Sequence, residues 1–148
     1  MKMSLKEWVE NGWLTEIKVR KKEIQDILDS ADFNLKESKE RTHSSNWKFL
    51  IAYIAIINYA DAALRACGYR TKVSSHHYYV IQSLSLTIGL EPELIDLIDS
   101  FRKKRHIGTY EKTGTISRQD VKEILNIADT LRDKVIKWLK EKHNDLLK

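Results

Sequence analysis

The chain has 148 residues, 42% hydrophobic and 32% charged, with a net charge of +5 and a pI near 9.2. That length suits one domain, 1–148, with a packed core behind a solvated surface, and the basicity bears on polyanion affinity rather than fold. One proline and five glycines leave too few turn residues for an all-β protein, and the sole Cys67 excludes an intramolecular disulfide.

Ser4 is placed to cap a short first helix that Gly12 ends. From Leu14 onward Ile17, Ile24, Ile27, Leu28, Ala31 and Leu35 recur at helical spacing, which predicts a long helix from Leu14. After the polar stretch Ser38 to Ser45, a second long helix is predicted from about Asn46 to Cys67. Trp47, Leu50, Ile51, Ile54, Ile57, Asp61 and Leu64 fall on one side of it. Its wide apolar surface marks it as the central helix. Gly68 suits the position after its end, and a third helix is expected over about His76 to Ile88.

Gly89 stops that helix and Pro92 sits at the first position of the next, which Gly108 and the loop after it should end. Ser117 with Asp120 forms a capping-box pattern. Val121, Ile124, Ala128, Leu131, Val135 and Trp138 then keep 3-4 spacing. An all-α antiparallel bundle of about five helices follows. No apolar run approaches the roughly 20 residues of a membrane span, and the polar N-terminus has no secretory pattern. A cytoplasmic protein with no membrane contact is expected.

The stretch FRKKRHIGTY, Phe101 to Tyr110, raises the functional question. Leu94, Ile98, Phe101 and Arg105 lie on one helical stripe, so Arg105 should be partly buried. A buried guanidinium needs partners, and Asn58 and Asp61 of the second long helix are the expected ones. Arg102, Arg105, His106 and Thr109 share a polar face, with Tyr110 about one turn beyond. A core Arg–Asp pair and helix-terminal charges would account for these residues; so would a site that grips RNA phosphates.

The order of these motifs resembles the higher eukaryotes and prokaryotes nucleotide-binding (HEPN) domain family. Arg105–His106 followed by Tyr110 resembles its motif of Arg, four to six residues, then His. YADAALRACGYR and SSHHYYVIQSL are similar to the family's second helix, its Gly-Tyr turn and its histidine-led third helix. ISRQDVKEILNIADTLRDKVIKWL resembles its last helix, so the likeness covers about Trp13 to Leu139.

The resemblance implies a helical bundle that pairs as a homodimer and cleaves RNA without a metal or other cofactor. It also implies a toxin role, with a minimal nucleotidyltransferase as antitoxin partner. Carried onto this chain, Arg105 is the phosphate anchor, His106 the polar or acid–base group and Tyr110 the second anchor. Arg102 is an auxiliary cation, and Asn58 and Asp61 orient Arg105. Tyr110 stands where the family has histidine, and tyrosine with its reference pKa of about 10 is a poor base at neutral pH. That exchange keeps a second reading open, a catalytically inactive dimer that binds a nucleotide, a nucleic acid or a protein partner.

Other candidates read as structural. His76 and His77 are adjacent on a helix, so their side chains should diverge by about 100° and not face one ligand. Cap and packing roles are expected of them, and no zinc-ligand spacing accompanies them. Lys18, Arg20, Lys21 and Lys22 read as a solvated face, and Cys67 as a small hydrophobe.

Overall fold

The structure, a computed structural model, describes residues 3–72, 76–110 and 116–147, with 106–110 described in their backbone alone. Six α-helices and one two-stranded sheet make up the described chain. In order they are α1 (Leu5–Glu10), β1 (Leu14–Glu16), α2 (Lys21–Ser38), α3 (Ser45–Ala66), β2 (Tyr69–Thr71), α4 (His76–Ser83), α5 (Pro92–Tyr110) and α6 (Arg118–Lys142). A 3-10 turn, Asn144–Leu146, follows α6. The architecture is the helical bundle read from the sequence.

α3 is the axis of the bundle. Ala52, Tyr53, Ala55, Ile56, Tyr59, Ala60, Ala62, Ala63 and Leu64 are all fully buried, so the helix is enclosed on nearly every side. It packs most extensively on α2 and α6 and also meets α4 and α5. Ser44 caps it by accepting a hydrogen bond from the Trp47 backbone N–H. The alanines let neighbouring helices approach closely, and Phe49 meets Phe101 of α5 edge-on, with ring centres 5.8 Å apart. By length and composition alone α3 would also suffice to cross a membrane, contrary to the reading that no segment does; 72% of that apolar stretch is buried inside the bundle.

Several boundaries differ from the sequence reading. Leu14–Glu16 is a strand and α2 begins only at Lys21. The strand pairs antiparallel with β2, Leu14 opposite Thr71 and Glu16 opposite Tyr69. Thr15, Ile17 and Val19 are β-branched and favour extended backbone, and Ile17 N–H donates to the Gly68 carbonyl at 2.9 Å. Gly68, at φ 93, takes the left-handed conformation that lets the chain leave α3 and enter β2. The expected third helix stops at Ser83, five residues short of Ile88. Ser83 and Ser85 hydroxyls donate to the Val80 and Gln82 carbonyls there, competing with the helix ladder. Gly108 does not end α5, which continues to Tyr110. Trp47 and Ile54, expected on the buried side of α3, are 49% and 39% exposed.

Candidate functional site

β2, α4, α5 and the end of α3 surround a cleft of about 890 Å³. One wall is α5, which contributes Arg102, Lys103 and Arg105. The other is built from Arg65 at the end of α3, Arg70 and Thr71 of β2, and His76 and His77 at the start of α4. Five cations and two imidazoles therefore converge from four elements. Such a lining selects for anions, because guanidinium groups bind phosphate oxygens bidentately.

Buried or half-buried carboxylates hold the cations in place. Asp99 accepts from Arg102 Nε at 2.7 Å and lies 3.6 Å from Lys103 Nζ. The Asp99 hydrogen bond raises the pKa of Arg102 and secures its charge. Arg65 donates to Asp61 at 3.0 Å and also reaches Glu23 of α2. Burial works against the Arg65 charge, but these two carboxylates outweigh it and its pKa is raised. Among the described residues no carboxylate reaches Arg70, which touches only the Thr71 carbonyl.

The partners expected for Arg105 are otherwise engaged. Asp61 accepts from Arg65, its i+4 neighbour on α3, and Asn58 accepts from Asn34 of α2 at 3.1 Å. Asn58 is thus tied to α2, and Arg65 links Asp61 to Glu23 of the same helix. Arg105 is half-buried, as its stripe requires, and its guanidinium carbon lies 5.2 Å from the centre of the Tyr53 ring. This is a cation–π geometry on a fully buried aromatic. Arg102 lies similarly over Tyr78, at 5.4 Å. The side chains of His106 and Tyr110 lie outside the described residues, and only their helical backbone is placed.

No protein-family model matches the chain, and no curated protein matches it. The likeness to HEPN domains thus stands on the order and spacing of the motifs quoted above.

His76 and His77 each hold a side-chain partner of their own, in keeping with the packing roles expected of them. Their ring centres are 5.3 Å apart and both line the cleft. Thr71 Oγ1 hydrogen-bonds His76 Nδ1, and Tyr53 Oη hydrogen-bonds His77 Nδ1 at 3.0 Å. Burial, then the neighbours His76, Arg105 and Arg102, lowers the pKa of His77 to about 4, so the ring is neutral at pH 7. Arg65, Arg70 and the two histidines were missed as site residues. A Gly-Tyr turn flanked by arginines and leading to paired histidines was the available signal.

Elsewhere the structure carries less chemistry. Burial pushes the Cys67 thiol up to about 11, which keeps it protonated and unreactive at neutral pH. Among the described residues no three histidine, cysteine or carboxylate side chains are grouped to hold a metal. Lys18, Arg20, Lys21 and Lys22 are exposed, and Lys22 pairs with Asp26 one turn on.

Proposed function

We propose that this chain is a HEPN-like, RNA-directed protein that cleaves RNA without a metal, using the ribose 2′-hydroxyl as nucleophile. The observation that carries the reading is the convergence of five cations and two histidines on one cleft of about 890 Å³. That volume falls within the roughly 300–1,000 Å³ of small-molecule sites, so it suits a short stretch of single strand better than a duplex. Arg105 and Arg102 bind the scissile phosphate and stabilise the charge that develops on it. His106, next to Arg105 in sequence, carries the proton, and Tyr110 is a second anchor. Cleavage by this route leaves a 2′,3′-cyclic phosphate and a 5′-hydroxyl.

Pairing of two protomers belongs to the same reading. It is supported by Trp47 and Ile54, large apolar side chains exposed on α3, and by a hollow of about 270 Å³ that Trp47 shares with Arg105. A minimal nucleotidyltransferase is the partner class the resemblance supplies, and co-purification tests it. One observation favours the rival, a dimer that binds without cleaving: Tyr110 occupies the place of the family's histidine.

Purified protein incubated with single-stranded and structured RNA in chelator decides between them, with Arg105→Ala alongside. Cyclic-phosphate ends that vanish in the variant support the ribonuclease. RNA that is bound but left intact supports the binding module.

A further inference from the structure

Tyr53 is fully buried, and its hydroxyl has one hydrogen-bond partner among the described residues, His77 Nδ1 at 3.0 Å. A phenol has one proton to give, and burying that proton without an acceptor costs free energy. Burial also raises the Tyr53 pKa, chiefly by disfavouring phenolate, so the proton stays on the oxygen. The phenol therefore donates, and His77 Nδ1 accepts. A neutral imidazole that accepts at Nδ1 carries its own proton at Nε2. The ring lines the cleft, and Nε2 has no protein partner among the described residues.

We propose that His77 is a phosphate-binding residue of the cleft, one that contributes a neutral Nε2–H donor in a tautomer set by Tyr53. The assignment rests on the RNA-directed reading above and names the group within that site that binds oxygen without adding charge. The groups facing the ring fit this role. Arg102 and Arg105 come from α5, Tyr53 from α3, and His76 from the same turn of α4. A further full charge among these cations would be repelled, whereas an N–H dipole is not. His77 is also held in place. Its first nitrogen is tied to a buried side chain in the central helix, so little rotamer freedom is lost when the second meets a ligand.

The distinction between a neutral donor and a cation is measurable. Cations that neutralise phosphates release counterions and steepen the fall of affinity with salt, by about 0.7 in log–log slope per contact on single strands. A neutral donor raises affinity at every salt concentration and leaves that slope alone. The probe is a fluorescent 2′-O-methyl RNA oligonucleotide, which lacks the nucleophile and so reports binding alone.

Titrations across a salt series compare wild type, His77→Ala, His77→Gln and Arg105→Ala, with thermal melts to establish folding. His77→Ala should bind about 10- to 100-fold more weakly, the range for a hydrogen bond to a charged group, at an unchanged slope. Arg105→Ala should lower the slope. Glutamine can offer an N–H near the position of Nε2, so His77→Gln should recover much of the loss. Nitrogen-15 spectra of the wild-type imidazole at pH 7 should show Nε2 protonated and Nδ1 bare. Wild-type binding that His77→Ala leaves intact, a slope that falls with His77→Ala, or an Nδ1–H tautomer overturns the proposal while sparing the RNA reading. A wild-type protein that binds no RNA overturns both.

Discussion

The Arg105 guanidinium carbon lies 5.2 Å from the centre of the Tyr53 ring, and the hydroxyl of that same ring reaches His77. One buried side chain of the central helix therefore touches a cation of one cleft wall and an imidazole of the other. The two contacts use different parts of the tyrosine, its π face and its hydroxyl, so substitution can separate them.

Tyr53→Phe keeps the face beneath Arg105 and removes only the oxygen. The loss leaves His77 Nδ1 without its donor, at a cost of about 1–2 kcal/mol. Tyr53→Leu removes the face as well and loses the cation–π attraction, about 1–2 kcal/mol more where the ring is desolvated. Urea unfolding of the three proteins checks the order, with equal stabilities for the Phe and Leu variants counting against a role for the ring face.

Stability should depend on pH through His77. The folded chain holds this ring with a pKa of about 4, against 6.5 for an ordinary histidine. Between those values the unfolded chain binds a proton that the folded chain refuses, so stability rises with pH across the window. The contribution is fully present above pH 6.5 and is lost as pH falls towards 4. Melting temperatures at pH 7.5 and 4.5 should therefore differ less for His77→Asn than for wild type. Carboxylates also lose their partners in acid, so the comparison between the two proteins carries the result rather than either curve alone.

Arg70 offers the cleanest test of the cleft's charge, because no carboxylate reaches it among the described residues. Arg70→Ala should weaken RNA binding and lower the log–log salt slope by about 0.7, the share of one phosphate contact on a single strand. Arg70 is half-exposed on a short strand, so the melting temperature should change little. A slope equal to that of wild type would remove Arg70 from the binding surface.

The helices were legible in the sequence where their ends carry chemical punctuation. Ser4, Ser117 and Pro92 start helices for reasons local to a few residues, and Gly68 leaves α3 at a positive φ. β1 was not legible, since three residues are too few for alternation to register and pairing with β2 decides the conformation. Arg105 was found because it continues an apolar stripe. The other cleft residues were not, because Arg65, Arg70 and His77 line the same cleft only when α3, β2, α4 and α5 are assembled. The pairing of Asp61 was misread for a related reason. Arg65 lies one turn away on the same helix, and that local partner takes the carboxylate intended for Arg105.

A second polar cluster, outside the cleft, should matter for stability alone. Asp32 of α2 accepts from the Tyr59 hydroxyl of α3 and from Arg132 Nε of α6, at 2.9 Å for the arginine. The two contacts differ in value. Asp32 and Arg132 are 44% and 40% exposed, so their ion pair is worth roughly 0–1 kcal/mol. Tyr59 is fully buried, and a phenol there without an acceptor costs about 1–3 kcal/mol. The hydrogen bond should therefore dominate. Asp32→Asn keeps an acceptor for Tyr59 and should cost less than about 1 kcal/mol, while Asp32→Ala should cost about 1–3 kcal/mol. Neither should alter RNA binding or cleavage, because Asp32 does not line the cleft. Chemical denaturation of both variants checks the ranking. Equal losses would mean that the ion pair, not the buried phenol, sets the value of this cluster.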